Sequence, residues 1–196
     1  MAALLALLLA LVADVEAGGH DPDAAMPTAQ GDAFALRLAA DQRSVALSGI
    51  IDFGATRALE ALLEAAPEVR VLRLESAGGR VAEARGLATL VHRRALVTSA
   101  VRECSSACTL VLLSGERRYL EPGARLGFHR YGLRSPLVGI FLDPEAEQTR
   151  DQALFRGQAV ADAFLERVAA TPHETMWFPT TAELLDAGVV DAVGRP

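Results

Sequence analysis

The sequence predicts an α/β domain around a mainly parallel sheet, and three observations carry that expectation. Short apolar runs rich in β-branched residues alternate with segments of helical spacing across residues 44–193. Turn residues punctuate the strand ends, as at Asp52-Phe53-Gly54, Gly78-Gly79 and Glu121-Pro122-Gly123. Finally, a β-branched run (95–101) passes through Glu103-Cys104-Ser105-Ser106-Ala107-Cys108 into an apolar segment, 109–113, closed by Ser114-Gly115. That is the layout of a nucleophile at a strand-to-helix junction, where free backbone N–H groups favour developing negative charge. Serine is also an ordinary helix cap, so the junction alone is weak evidence.

In chain order, residues 18–32 are rich in Gly, Pro, Asp and Ala without a period and read as a linker, leaving 33–196 as one domain. Residues 34–38 alternate as an edge strand and 44–51 form a stronger one. Residues 55–66 place Ala58, Leu59, Leu62, Leu63 and Ala66 on one helical face, and Pro67 stops that helix. A strand at 69–74 ends near Gly78-Gly79, and helical spacing resumes over 81–91 through Val81, Ala84, Ala88 and Val91. After the serine junction, 117–120 and 125–128 read as short strands, the second ending at His129. Residues 135–144 read as a loop, and 145–170 as one long helix burying Leu154, Gly157, Ala161, Phe164, Leu165 and Val168. Thr180-Thr181-Ala182-Glu183 is a capping box for a short last helix, and 189–193 return as a strand. Right-handed crossovers in such a sheet gather sites at the carboxyl ends of strands. Gly78-Gly79, Ser106 and His129 each follow a strand, so all three can meet.

Composition narrows the function classes. The 196 residues are 51% hydrophobic, enough for a real core, and disorder is excluded. A formal net charge of −6 argues against nucleic-acid partners, which call for a basic face. All 19 basic residues are arginines, so no mechanism can use a lysine base. Residues 2–13 are an apolar run too short to span a bilayer but of the length of a signal-peptide core, and Val15-Glu16-Ala17 offers small residues for cleavage. No Lys or Arg precedes the run, so an uncleaved membrane anchor is the alternative to a leader at 1–17 and a periplasmic or secreted protein. Two cysteines and four scattered histidines do not make a structural zinc site, and no cofactor is expected. In an exported chain Cys104 and Cys108 can bridge across the serine turn; two small buried thiols are the other reading.

From residue 44 to 193 the chain resembles the Clp protease proteolytic subunit and the wider Clp/crotonase superfamily, closest to exported Clp-like proteins with a Cys-x-Ser-Ala-Cys turn. The resemblance implies a spiral of β-β-α units with a long helix after the catalytic histidine. Ser76-Ala77-Gly78-Gly79 falls on the family's oxyanion loop, Ser106 on its nucleophile, and Arg125-Leu126-Gly127-Phe128-His129 on the strand carrying its histidine. Residues 182–191 fall on the closing helix and strand. By this resemblance Ser106 attacks an acyl carbon, His129 carries the proton, and backbone N–H groups of Gly79 and Ala107, beside Gly78, hold the oxyanion. It also implies self-association, through the long helix, and peptides or unfolded chains as substrates.

One departure stands out. Met176 occupies the position of the family's triad aspartate, and Glu174 is the nearest carboxylate that can replace it. A serine peptidase with this substitution competes with a non-catalytic binding or assembly module on the same scaffold. A Ser-Lys peptidase is excluded by the absence of lysine, and a crotonase-type acyl-CoA enzyme needs no Ser-His pair. Outside the cytoplasm an ATP-driven unfoldase partner is not expected.

Overall fold

The computed structural model describes residues 26–30, 33–132 and 143–196. The leader or anchor expected within 1–17, and most of the loop expected at 135–144, lie outside the described residues. Eight strands form one sheet, in the order β1 (Met26–Gln30), β2 (Phe34–Leu38), β3 (Ser44–Gly49), β4 (Val71–Ser76), β5 (Val97–Ser105), β6 (Arg118–Leu120) and β8 (Ala192–Val193). The eighth, β7 (Arg125–Gly127), also pairs with β5. The β1–β2 and β2–β3 ladders are antiparallel; every ladder from β3 onward is parallel. The expected α/β class with a mainly parallel sheet is therefore present, as a mixed sheet with an antiparallel edge.

Helices α1 (Ala55–Ala65), α2 (Val81–Arg93) and α3 (Ala107–Leu113) supply the crossovers. Leu59, Leu62 and Leu63 of α1 and Leu87, Leu90 and Val91 of α2 bury against Leu47, Leu72 and Leu74 of the sheet. All seven residues of α3 are buried, which is why that segment is apolar on every side and not on one face. The C-terminal part holds α4 (Pro144–Gly157), α5 (Asp162–Ala170) and α6 (Thr181–Asp186), the last opened by the expected Thr180–Glu183 capping box. No helix among the described residues is long and apolar enough to cross a membrane.

Three expectations need correction. Residues 26–30 of the presumed linker form β1 against β2, because a strand can be held by backbone pairing without a strongly apolar sequence. The long helix over 145–170 is two helices, separated where Ala159 adopts φ 61° and Ala161 N–H donates to Ala187 O at 3.0 Å. Leu154, expected inside, is exposed, while Gln148, Asp151 and Phe155 are the buried residues of α4. The face of α4 turned to the core is largely polar.

Candidate active site

Strand β5 places the two serines in different environments. Ser105, its last residue, is fully buried and its hydroxyl donates to Glu103 Oε1 at 2.9 Å. Glu103 also binds Arg125, whose hydrogen bonds hold its carboxyl below the usual range. Ser106 turns out of the ladder with φ 53° and ψ −126° immediately before α3. A left-handed φ is uncommon for a residue with a Cβ and is held here by neighbours. Ser106 N–H donates to Gly127 O at 2.8 Å, and its carbonyl accepts from Thr109 N–H at 2.9 Å and Thr109 Oγ1 at 2.7 Å. A disulfide joins Cys104 to Cys108 with their Cα atoms 5.3 Å apart, bracketing Ser106; both residues are fully buried. The two thiols are thus a bridge across the turn, not separate buried groups.

Strand β7 delivers the partner. Cα pairing of Ser105 with Gly127 sets the register, His129 follows two residues after Gly127, and its Nε2 lies 2.8 Å from Ser106 Oγ. The segment around His129 is tied down on both sides. Phe128 exchanges two backbone hydrogen bonds with Trp177, and Arg130 N–H donates to Thr171 O at 2.8 Å. Phe128, Phe164 and Trp177 pack as an aromatic trio beneath it, with centroids 4.8 to 6.2 Å apart.

The other ring nitrogen decides what kind of pair this is. His129 Nδ1 lies 2.7 Å from the carbonyl oxygen of Arg130, an acceptor, so Nδ1 carries the proton and Nε2 is free to accept from Ser106 Oγ–H. Glu174, expected as a third member, instead sits 2.9 Å from His173 Nδ1. Its loop turns the carboxylate toward solvent and the neighbouring ring. Met176 lies against Gly127 and contributes an apolar wall near His129. The imidazole is oriented by a neutral backbone carbonyl.

The glycine loop completes the site, with one change from expectation. Gly78 N–H donates to Ser76 Oγ at 3.1 Å, so Gly78 offers no donor to an oxyanion. Its contribution is space: with φ 101°, a Cβ there would stand 2.8 Å from Ser106 Cβ. Gly79 is different. Ile51 donates to Gly78 O and accepts from Arg80 N–H, both at 2.8 Å, which in a parallel bridge turns the N–H of Gly79 away from Ile51. Among the described residues the N–H groups of Gly79 and Ala107 have no hydrogen-bond partner. Gly79, Ser106, His129, Met176, Arg85 and His173 all line one cleft of about 520 Å³.

A polar cluster at the cleft wall was not legible in the sequence. Arg85 of α2 donates in bidentate fashion to Asp151 of α4, at 2.9 and 2.8 Å, and also binds Glu147. Tyr131 O–H donates to Asp151 Oδ2 at 2.7 Å, and Tyr131 N–H to Gln148 Oε1 at 2.9 Å. Burial, with the Asp151 charge beside it, pushes the Tyr131 hydroxyl well above its usual range, so it stays a donor. The bonds to Asp151 and Glu147 likewise raise Arg85, which stays charged. The cluster docks α4 against α2 and the chain just past His129. Its partners are far apart in sequence, and only helical spacing of Gln148 and Asp151 on one face hinted at it. Among the described residues no group of three or more His, Cys, Asp or Glu is arranged to hold a metal ion. No protein-family model and no curated protein matches the chain.

Proposed function

We propose that the protein is a Clp-like serine hydrolase that acts on peptides or unfolded chains through a Ser106–His129 dyad. The observation that carries this is the 2.8 Å contact between Ser106 Oγ and His129 Nε2 at a residue held in a left-handed turn. The order of strand, glycine loop, serine turn and histidine strand supports the finer Clp/crotonase assignment. In the reaction, Ser106 Oγ attacks the acyl carbon as its proton passes to His129 Nε2. The carbonyl oxygen takes up negative charge against the N–H groups of Gly79 and Ala107. His129 then gives the proton to the leaving amine, and a water deprotonated by the same nitrogen hydrolyses the acyl-enzyme.

The Arg130 carbonyl sets the tautomer but brings no full negative charge to the imidazolium. Loss of a triad carboxylate can lower turnover by ~10⁴, so slow chemistry is expected. This same feature favours the second reading, a non-catalytic binding or assembly module. The Cys104–Cys108 bridge supports a periplasmic or secreted protein, since such bonds persist in oxidising compartments. Self-association, and the absence of an ATP-driven partner, belong to the same proposal.

Labelling of the full chain with a fluorophosphonate tests it. The wild type is expected to label at Ser106, and Ser106→Ala and His129→Ala to label no longer. A wild type that is folded by circular dichroism yet unlabelled would leave the binding-module reading.

A further inference from the structure

Next to the main cleft, Ser106 and His129 also line a much smaller recess of about 20 Å³. Phe128, Phe155 and Val168 give it apolar walls, and the space holds roughly one water-sized group. Gln148, 8% exposed, is the feature of interest. Its Oε1 accepts from Tyr131 N–H, which fixes which end of the amide is nitrogen. Its Nε2 is buried and has no hydrogen-bond partner among the described residues. The other donors around the recess are occupied: Thr109 Oγ1 by Ser106 O, Tyr131 O–H by Asp151, and Gln152 Nε2 by Leu165 O. A buried amide donor left unpaired is costly, and its presence beside reactive groups asks for an acceptor supplied from outside.

Building on the serine-hydrolase reading, we infer that this recess receives the side chain on the acyl side of the scissile bond, and that Gln148 Nε2 selects a short side chain ending in an acceptor oxygen. Ser106 and His129 line both spaces, and an acyl carbon within bonding reach of Ser106 Oγ has its Cα one bond away. The main cleft of about 520 Å³ has room for the extended chain, and the recess of about 20 Å³ has room for one short substituent on that Cα. Serine fits the volume and accepts from Nε2. Alanine fits but leaves the donor unpaired, and leucine or phenylalanine exceeds the space. A site built to hydrogen-bond a hydroxyl discriminates strongly against the analogue lacking it.

The test uses the full chain and peptidyl aminocoumarins that differ only in the acyl residue. The ratio of kcat/KM for Ser over Ala is expected to be about 10-fold or more in the wild type, with Leu below both. Gln148→Glu keeps an oxygen for Tyr131 N–H but removes the amide donor, and Gln148→Met removes both functions. Each is expected to bring the Ser:Ala ratio near one. If Gln148 only scaffolds the loop, both substrates slow together and the ratio persists, which overturns the inference; so does a wild type that prefers Leu. A protein that labels with fluorophosphonate at Ser106 yet has a ratio near one removes this inference alone. A protein that does not label removes the serine reading with it.

Discussion

Replacing both cysteines, Cys104→Ala with Cys108→Ala, isolates what the bridge contributes to the serine turn. The bridge closes a loop of sequence separation 4, and by the chain-entropy relation a loop this small is worth about 2 kcal/mol. Holding Ser106 at φ 53° costs about 1–3 kcal/mol, a comparable amount. If the bridge is what offsets that strain, losing it lets the turn relax, and ~2 kcal/mol reduces the competent population about 30-fold. The assay is the second-order rate of fluorophosphonate labelling, read beside the thermal midpoint. The double variant is expected to label about 10- to 30-fold more slowly and to melt roughly 4–8 °C lower. A midpoint that falls while the labelling rate stays unchanged would refute the reasoning: the hydrogen bonds from Ser106 to Gly127 and Thr109 would then be holding the turn unaided.

Other perturbations read different parts of the site and fold. Gly79→Ala places a Cβ into the Ile51 backbone and displaces the Gly79 N–H that is turned away from it, so labelling should fall by about 10²–10³ while circular dichroism is retained. Tyr131→Phe removes the hydroxyl bonded to Asp151 and is expected to cost about 1–2 kcal/mol in denaturant unfolding, with the Arg85–Asp151 pair intact. For Asp191, burial acts to raise the pKa, but hydrogen bonds from the Arg118 side chain and backbone N–H outweigh it and leave the carboxyl below its ordinary value of 3.8. A depressed folded-state pKa stabilises above the unfolded value and stops doing so as pH falls through the folded one. The wild type should therefore exceed Asp191→Asn by about 1–2 kcal/mol at neutral pH, allowing for partial exposure, and the gap should close below about pH 3.8 in urea melts.

Local chemistry carried most of what the sequence revealed. The strand runs, the crossover helices and the Thr180–Glu183 cap depend on neighbours in the chain, and each formed close to where its pattern lay. The separation of Ser105 from Ser106 came from the resemblance: the strand expected over 95–101 runs on to Ser105, and its ladder to the distant β7 fixes which serine leaves it. What was hidden depended on distant partners. The polar inner face of α4 makes sense only beside Arg85 and Tyr131, and the break before α5 only beside Ala187. Glu174 looked available because its pairing with His173 is a matter of side-chain direction, which spacing does not encode. The acceptor that took its place, the Arg130 carbonyl, is a group every residue possesses.

Strand β5 is shared end to end: residues 98–100 pair with β6 and residues 103–105 with β7. The two short strands lie in line along one edge, joined by the turn over 121–124. That turn acts as a metering device. Each residue gained or lost there slides β7 along β5 by roughly 3.3 Å or flips its faces, and either shift exceeds the tolerance of a hydrogen bond. The spacing of nucleophile and base is thus written in backbone arithmetic. In a lineage of such chains, the insertion of a single residue in this turn would silence the site.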